Sequence, residues 1–553
     1  MPMKFNEFVN SKKSVLIIDD CPVYRTALKG MLVKMGFHND NVLFAADANS
    51  ALQIARTKEL KLVFFDYNLG DSKNGIQLLD ELKSSKLLPP SCVLVVVTGD
   101  SSKGVVTGFA EQDPDGYLIK PLNYVTLADR LPRFTRRKRE LEPLLKMYTA
   151  REYELVIETA KQYDSTNPEL MQWCQYLSAK SYLKMGDADV GVSLLKSLLG
   201  STLHTKALGV LLRYAIQHQH YDEAQSLISE LEGFPFQKPK AMQYAAEIAL
   251  RQDNKPKALA IINEAVKLAP SSIEQVGTQF QIACASGDFE TGLQSINRVI
   301  RLTRDSFREH IDLYFSKGSM LLDAAEQEFD IKERSNYINQ LLKLAITWRS
   351  KFLKKYYIGA ELLLFARAHA LLGRYEKANQ SLEEYEQWLA ESAAGKSGSQ
   401  LEQIEYARVL HRLRGELSLV KMLKQFETIP VAKMDIRTLC VKQYYGAWYG
   451  QFSAKTKLVA QLKDHALADF AKQQFEPGVK RLSKAFEVGL YDLSIAELLL
   501  KNLSKAWPQE WDKHTVSSLV AKCKTLLQDN RSLINTDISS EMTVLNRQLQ
   551  LAS

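Results

Sequence analysis

Four short apolar runs in the first 120 residues each end in polar side chains. The runs occupy residues 15–18, 62–65, 93–97 and 117–119. The polar residues that follow them are Asp19 with Asp20, then Asp66, Thr98 and Lys120. Continuous apolar runs of this length are typical of strands buried on both faces of a parallel sheet. Because the carboxyl ends of parallel strands share one edge, where ligands bind, these polar groups are predicted to converge.

The order of the patterns predicts an α/β domain followed by an all-α domain. Strand and helix patterns alternate as far as Pro121, and after Leu122 the apolar spacing is helical throughout. A helix is expected from Asn123 to about Arg137, with Pro132 as a kink or a restart. We expect a first domain over residues 1–137, a basic helical linker over 138–150, helical repeats over 151–535 and a frayed tail over 536–553.

A short pattern recurs along the helical region: a glycine or polar residue, an aromatic residue two positions later and a small residue three positions after that. Its first positions are 151, 186, 219, 253 and 287, at steps of 35, 33, 34 and 34 residues. This period resembles the tetratricopeptide repeat, a helix–turn–helix unit of 34 residues whose superhelical arrays bind peptides or helices of partners. The small residue is expected where neighbouring helices approach closely.

The pattern weakens further along the chain. Related units begin at Gly373 and Gln473, a degenerate one begins at Gly415, and longer helices interrupt the series between residues 292 and 373. The alternative is a generic helical array with coincidental turns. Two aromatic stretches, over residues 348–357 and 444–449, could contact a partner, but burial of their rings in the core is the more ordinary explanation.

The polar groups at the predicted sheet edge have a definite chemistry. Three carboxylates, a hydroxyl and an ammonium suit a site for Mg²⁺ and a transferable phosphoryl group, because Mg²⁺ prefers oxygen ligands and reduces the repulsion between a carboxylate nucleophile and an anionic donor. Each residue alone has an ordinary explanation, such as a helix cap or a turn. Their occurrence in order, each at a strand end, favours the phosphorylation site.

Residues 10–137 resemble the receiver domain of two-component response regulators. The matching residues are the acidic pair Asp19-Asp20, Asp66, Thr98, Tyr117 and the dipeptide Lys120-Pro121. The segment over residues 66–75 also fits, with one departure: glycine stands at position 70, where the family commonly has a proline, in a loop one residue longer. The departure leaves the chemistry intact but leaves the conformation of this loop open.

The resemblance implies a flavodoxin-like fold, with a parallel five-stranded sheet in the order 2-1-3-4-5. It implies that Asp66 is the phosphoacceptor and that a cognate histidine kinase is the donor. Lys120 and Thr98 would assist the transfer. Thr98 and Tyr117 would form a switch that alters the surface around the helix between the fourth and fifth strands. No other catalysis is expected apart from slow autodephosphorylation.

The resemblance also implies a set of ligands for Mg²⁺. Asp20 and Asp66 would bind the ion directly, Asp19 would act through a water molecule, and the backbone carbonyl of Asn68 would complete the protein's share.

Composition agrees with a globular protein of two or more domains. The chain has 553 residues, of which 46% are hydrophobic and 25% are charged, and this excludes wholesale disorder. Residues 1–121 carry 14 basic and 14 acidic side chains, so the net charge of +8 lies beyond them and is dilute. The polar start, the absence of a long apolar stretch and six scattered cysteines, interpreted as buried thiols, predict a cytoplasmic location and no membrane anchor.

These observations leave three hypotheses about output. The first is signalling through protein–protein interaction of the repeats, for example with a cyclic-di-GMP enzyme, a second regulator or another copy of the chain. The second is a transcriptional regulator that binds DNA through its basic helical region, although no basic recognition helix follows residue 137. The third is an output enzyme, but no GGDEF, EAL, phosphate-loop or nucleophile-elbow sequence occurs. The basic run over residues 136–139 is expected to be a solvated helix face.

Overall fold

The computed structural model describes residues 5–69, 73–99, 114–234, 237–328, 330–391, 399–415, 418–431, 434–489, 492–534 and 538–550. The chain divides into two compact units. The first comprises residues 1–282 and 298–309, and the second comprises residues 283–297 and 310–553.

Five parallel strands form one sheet in the first unit. Their order is β2-β1-β3-β4-β5, which confirms the predicted arrangement. The strands are β1 (Ser14–Ile18), β2 (Val42–Ala45), β3 (Leu60–Phe65), β4 (Val93–Thr98) and β5 (Gly116–Ile119). The helices of this part are α1 (Phe5–Asn10), α2 (Pro22–Lys34), α3 (Ala48–Thr57), α4 (Gly75–Ser84) and α5 (Tyr124–Glu140), which contains Pro132. The helix expected between β4 and β5 falls on residues 100–113, outside the described residues.

Alternate residues of the strands supply two apolar cores, one on each face of the sheet. Ile18 and Phe65 belong to one core, and Ile17 and Phe64 belong to the other. Because successive side chains of a strand point to opposite faces, a strand covered on both faces is expected to be apolar at most positions. The continuous apolar runs of the sequence follow from this arrangement.

Polar side chains fix where the helices of the sheet region begin. Asp47 and Ser50 form a capping box at α3, and Asn74 and Gln77 form another at α4, with N–O distances of 2.9 and 3.0 Å. Asn123 caps α5. Each cap satisfies backbone N–H groups that lack a partner inside the helix. The start of α4 is therefore well defined.

A buried lysine joins α1 to the sheet. Lys61 of β3 is 3% exposed, and its Nζ donates to the carbonyls of Phe8, Val9 and Ser11 at 2.7, 3.0 and 3.1 Å, and to the Ser11 hydroxyl at 3.1 Å. Burial lowers the pKa of Lys61 to about 8. The ammonium thus satisfies the carbonyls at the carboxyl end of α1, as cations do at helix ends.

The basic run over residues 136–139 is not the solvated face that the sequence suggested. Arg137 and Lys138 both pair with Asp115, the latter at 3.4 Å, and Arg139 is buried with its guanidinium 5.6 Å from the Phe5 ring. The side chain of Asp115 is 1% exposed, and a buried carboxylate needs cationic partners. Pairing with Asp115 explains why two of these cations face the protein.

The rest of the first unit consists of helices. They are α6 (Glu142–Ala150), α7 (Tyr153–Gln162), α8 (Pro168–Met185), α9 (Ala188–Ser197), α10 (His204–Gln217), α11 (Tyr221–Glu232), α12 (Lys238–Arg251) and α13 (Lys255–Leu268). Two of the limits between the units fall within α14 (Ile273–Ser286) and α15 (Phe289–Thr303), and the third falls between Glu309 and His310. This region forms the predicted all-α, tetratricopeptide-like array of helical hairpins.

Each turn of the predicted repeats contains a residue in the left-handed backbone conformation. The φ angles are 67°, 98°, 61°, 58° and 71° at Arg151, Gly186, Gln219, Asp253 and Gly287. These residues are the five first positions of the sequence pattern, so its period is also a period of the structure. The later units share the feature, with φ angles of 73°, 67° and 62° at Gly373, Gly415 and Gln473.

The small residue of the pattern lies where two helices meet, as predicted. Val156, Ala224 and Ala258 are fully buried. A Cβ added at Gly191 would come 2.8 Å from the side chain of Leu183. A larger side chain at these positions would push paired helices apart, because protein interiors are close-packed.

The second unit continues with helices, several of them longer. They are α16 (Ile311–Gln327), α17 (Ile331–Lys351), α18 (Lys354–Leu371), α19 (Tyr375–Glu391), α20 (Gln400–Arg414), α21 (Ser418–Thr428), α22 (Ile436–Ala471), α23 (Phe475–Val488), α24 (Leu493–Leu503), α25 (Lys513–Gln528) and α26 (Ser539–Gln550). Helices α16 to α18 form the expected interruption. No described helix combines the length and the hydropathy needed to cross a bilayer.

Buried charged residues of three of these helices form an ionic cluster, and a tryptophan of a fourth helix contacts it. Its members are Asp323 and Glu326 of α16, Arg367 of α18, and Glu405, Arg408 and Arg412 of α20. Arg408 donates to Glu405 at 2.9 Å, Arg412 donates to Glu326 at 2.6 Å, and Trp448 of α22 donates its Nε1 hydrogen to Glu326 at 3.0 Å. The cluster ties these four helices together.

Three expectations about the second unit can be compared with the structure. Trp348, Tyr445 and Trp448 are buried, which agrees with the core interpretation of the two aromatic stretches at these positions. Tyr356, in the first stretch, is 59% exposed, so the core interpretation does not hold for the whole of that stretch. The tail over residues 536–553 was expected to fray, yet α26 is a helix whose Leu545 is fully buried. Its apolar side chains recur at helical spacing and pack on the preceding helices.

All six cysteines are free thiols, as expected. Cys21 is exposed and Cys284 is partly exposed, so the interpretation of all six as buried was wrong at these two positions. Cys21 lies directly after the acidic pair, at a sheet edge that must stay open to a ligand.

Candidate functional site

The sheet topology brings the predicted polar residues to one edge. Asp19 follows β1, Asp66 follows β3, Thr98 ends β4 and Lys120 follows β5. Since β1, β3, β4 and β5 are neighbours in this order and run parallel, their carboxyl ends meet. The convergence predicted from the apolar runs is therefore present.

Three carboxylates and one ammonium form an acidic pocket at this edge. Carboxylate oxygens of Asp19, Asp20 and Asp66 lie within 4.8 Å of one another. Asp19 and Asp66 are 3% and 7% exposed, whereas Asp20 is exposed. Lys120 Nζ donates to Asp19 Oδ2 at 2.6 Å and to Asp66 Oδ2 at 2.7 Å. One cation thus bridges two buried carboxylates, and the pocket retains excess negative charge.

Backbone hydrogen bonds hold the pocket in place. The Asp66 amide donates to the Ile18 carbonyl at 2.9 Å, and the Tyr67 amide donates to Asp66 Oδ1 at 2.7 Å. The Cys21 amide donates to Asp19 Oδ1 at 2.9 Å. These contacts fix one oxygen of each buried carboxylate and leave the others directed at Lys120.

The electrostatics of the pocket reflect its unbalanced charge. Burial raises the pKa of Asp66, Lys120 opposes this effect, and the neighbouring Asp19 reinforces it, so that the pKa stays above its ordinary value. Burial alone would lower the pKa of Lys120, but its hydrogen bonds to Asp19 and Asp66 raise it. A cation placed among the three carboxylates would relieve this strain.

The donor set of the pocket fits Mg²⁺. The ion prefers carboxylate oxygens, which in octahedral geometry lie about 3 to 4 Å apart around the metal. The spacing of the three carboxylates is close to that requirement. Asn68 lies two residues after Asp66 with an exposed side chain. The loop departure at residue 70 falls outside the described residues.

Thr98 and Tyr117 occupy neighbouring strands near the pocket. Thr98 is 1% exposed, and its carbonyl accepts a hydrogen bond from the Lys120 amide at 3.0 Å. Tyr117 pairs with Val96 in the sheet and packs, half-buried, against the core that contains Phe65. Thr98 therefore lies on the strand next to β3, which Asp66 follows, and Tyr117 lies on the strand after that.

Sequence reasoning gave no role to two residues that line the pocket. The Tyr24 ring centroid lies 4.3 Å from Lys120 Nζ, a cation–π contact. A Cβ added at Gly75 would lie 2.0 Å from the Asp66 carbonyl oxygen, so this position admits no side chain. The signal for this close approach in the sequence was a glycine at the first position of the helix that follows the loop after Asp66.

Helix α4 connects the pocket to residues 302–308, at and after the end of α15 in the same unit. Gly75 N donates to the Tyr67 carbonyl at 2.8 Å, beside Asp66. Two residues further along the helix, Gln77 Nε2 donates to the Leu302 carbonyl at 2.9 Å. Asp80 accepts two hydrogen bonds from the Arg308 guanidinium, one of them at 2.6 Å. We name this contact of α4 with Leu302 and Arg308 the α4 latch.

Comparison with known proteins identifies the amino-terminal part. The family model described as response regulator receiver domain matches residues 15–132. Chemotaxis protein CheY-3 of Vibrio cholerae is 27% identical over 129 residues, which cover 23% of this chain and 96% of that protein.

Solved structures similar to the chain fall into two groups. A CheY-like receiver domain protein from Methanospirillum hungatei covers 23% of this chain and 97% of its own, with 28% identity and a TM-score of 0.21. The TPR domain of P58(IPK) covers 71% of this chain and 99% of its own, with 12% identity and a TM-score of 0.21.

Proposed function

Residues 15–132 are a response regulator receiver domain, and we propose that the chain accepts a phosphoryl group on Asp66 from a histidine kinase and signals by protein–protein interaction of its helical repeats. The observation that carries the proposal is the acidic pocket, in which Lys120 bridges Asp19 and Asp66 at the shared edge of parallel strands. The chain thus functions in the cytoplasm as a signalling protein whose own chemistry is limited to phosphorylation and slow dephosphorylation.

Asp66 acts as the nucleophile in this proposal. Its carboxylate oxygen attacks the phosphorus of a phosphohistidine, the P–O bond forms, and the P–N bond breaks with its electron pair leaving on the imidazole. Asp20, Asp66 and the Asn68 carbonyl would hold Mg²⁺ directly, and Asp19 would act through water. When bound, the ion offsets the negative charge of acceptor and donor. Lys120, which bridges Asp19 and Asp66 before the transfer, then turns its ammonium to the phosphoryl oxygens.

Thr98 and Lys120 adjust to the new charge after transfer. Thr98 donates its hydroxyl hydrogen to a phosphoryl oxygen, and Tyr117 occupies the space that Thr98 leaves. The resulting bias between two states needs only a few kcal/mol.

The α4 latch provides a second route from Asp66 to the repeats. The hydrogen bond from the Gly75 amide to the Tyr67 carbonyl at 2.8 Å supports it, because it joins the start of α4 to the backbone directly after Asp66. The other end of this route is the pair of Asp80 with Arg308, which lies in the turn after α15.

The test is phosphorylation by a small donor. We expect acetyl phosphate with Mg²⁺ to add one phosphoryl group to the wild-type chain, and Asp66→Asn to abolish the addition, as measured by intact mass. Asp40→Asn, at an exposed acidic residue outside the pocket, is the matched control and should be phosphorylated normally. Equal modification of the Asp66→Asn and wild-type proteins would refute the assignment.

A further inference from the structure

Cations and aromatic rings gather on one face of the first hairpins. Lys180 Nζ lies 4.8 Å from the Tyr148 ring and 5.4 Å from the Tyr176 ring. Lys206 Nζ lies 5.6 Å from the Trp173 ring, which in turn contacts Tyr176 edge to face. These residues belong to α6, α8 and α10, the first helices of three successive hairpins. We name this set, with Lys184 and Arg213, the basic face.

Helical spacing places the basic residues together. Lys180 and Lys184 are one turn apart on α8, and Lys206 and Arg213 are two turns apart on α10. The positive charges of Arg213, Lys184 and Lys206 add to burial in lowering the pKa of Lys180. The four cations are therefore close enough to repel one another.

Few acidic groups offset this charge within the described part of the chain. There, Lys180, Lys184 and Arg213 make no ion pair with a carboxylate. Arg213 is hydrogen-bonded to Tyr244 and feels the more distant charge of Glu274. Surface cations usually lie near carboxylates, so the half-buried Lys180 together with the exposed Lys184 and Arg213 favours binding of an external anion.

We propose that the basic face binds a short acidic segment of a partner protein. Two or more aspartate or glutamate side chains would pair with Lys180, Lys184 and Arg213, while the rings of Tyr148 and Tyr176 would pack against the methylene groups of the segment. The inference rests on the proposed function, since it identifies where the repeats contact their partner and the chemistry of that partner.

A nucleic acid fits this face less well. On the next first helix, α12, Lys240 already pairs with Glu274, and Arg251 pairs with Glu247 at 2.7 Å. A long polyanion with a phosphate at each step would soon reach this neutralised surface. A peptide with a few carboxylates matches the extent of the basic face.

The experiment measures binding of labelled peptides by fluorescence anisotropy. The probe is a fluorescein-labelled decapeptide of alternating glutamate and alanine, and the glutamine–alanine decapeptide is the uncharged comparison. The full-length Asp66→Asn protein is used, so that binding does not depend on phosphoryl transfer. We expect the glutamate peptide to bind and its affinity to fall as salt rises.

Variants locate the site. Lys180→Gln and Arg213→Gln should each weaken binding of the glutamate peptide by about three- to tenfold. Lys257→Gln, at an exposed lysine of α13, should leave binding unchanged. The double variant Lys184→Glu with Arg213→Glu should lose the acidic peptide and bind a lysine–alanine decapeptide instead, provided that circular dichroism shows an intact fold.

Three results would overturn the proposal: equal binding of the glutamate and glutamine peptides, equal effects of Lys180→Gln and Lys257→Gln, or tighter binding of a single-stranded DNA decamer at the same salt concentration. Failure of this experiment leaves phosphorylation of Asp66 untouched, because the two are measured on different variants. Failure of phosphoryl transfer likewise leaves the peptide result standing.

Discussion

The acidic pocket of the receiver domain and the ionic cluster of the second unit are both built from charged side chains removed from water, but their charges are balanced differently. The pocket places three carboxylates around one ammonium. The ionic cluster matches three carboxylates with three guanidinium groups. An unbalanced set is stabilised by a bound cation, whereas a balanced set has nothing to gain from one.

The pKa values of buried carboxylates in the two sites shift in opposite directions. In the pocket, burial and Asp19 outweigh Lys120 and raise the pKa of Asp66. In the cluster, burial would raise the pKa of Glu326, but the charges of Arg412, Arg367 and Arg408 lower it to about 2. Burial acts alike in both places, so the number of cationic partners decides the outcome. Local charge balance therefore distinguishes a binding site from a structural network.

Breaking the balance of the cluster should have the largest effect. Arg408→Met leaves three buried carboxylates with two guanidinium groups, so negative charge is buried without compensation, and it should lower the free energy of unfolding by about 3–5 kcal/mol. Arg414→Met removes a partly exposed pair with Glu386 and should cost below about 1 kcal/mol. Urea unfolding followed by circular dichroism measures both. Similar losses in the two variants would mean that the cluster is as weak as a surface pair.

Mg²⁺ should stabilise the unbalanced pocket and leave the cluster unaffected. At a concentration about 100 times its Kd, the ion should add about 2.7 kcal/mol to the stability of the receiver domain. Asp20→Asn should remove most of this gain, while Asp40→Asn should keep it. Thermal unfolding with Mg²⁺ and with EDTA is the measurement. A gain that persists in Asp20→Asn would show that the ion binds elsewhere.

The two sites should respond to pH with opposite signs. Asp66 has a raised pKa in the folded protein, so the stability that it contributes falls as pH rises from 3.8 through its folded pKa. Glu326 has a lowered pKa, so its contribution is complete above 4.5 and is lost as pH falls toward about 2. Comparing unfolding of the wild type with Asp66→Asn, without Mg²⁺, isolates the first effect. An equal dependence of the free energy of unfolding on pH in the wild type and in Asp66→Asn would contradict this prediction.

The smallest expected effect on stability concerns the α4 latch. Asp80→Asn weakens a partly exposed pair with Arg308 and should cost about 1 kcal/mol or less. In the wild type, acetyl phosphate should change hydrogen exchange over residues 302–308, and in Asp80→Asn this change should be lost. Asp129→Asn, at an exposed pair with Arg133, is the control. A response that survives in Asp80→Asn would exclude the latch as a route.

The sequence predicted the pocket because each residue of it ends a strand, and strand ends can be read locally. Asp19, Asp66 and Lys120 needed only the assumption of a parallel sheet to be placed together. The repeat turns were equally accessible, because the residues at 151, 186 and 219 recur at one spacing.

The ionic cluster and the α4 latch could not be predicted from the sequence, for a physical reason. Asp323 and Arg408 lie 85 positions apart, and Asp80 and Arg308 lie 228 apart. Helical periodicity shows that a helix has a polar side, but it does not show which polar residue faces another helix. The same reason explains the error at Arg137, whose partner Asp115 precedes a different element.

The buried lysine of β3 has a practical consequence for anyone who wishes to isolate the receiver domain. The matched family region begins at residue 15, after the backbone oxygens that surround Lys61 Nζ. A fragment that starts at residue 15 would keep the Lys61 ammonium in apolar surroundings. It would lack the oxygens of Phe8, Val9 and Ser11 that accept hydrogen bonds from Lys61. Trimming should therefore stop before Phe5, since the short leading helix is part of the domain's interior chemistry.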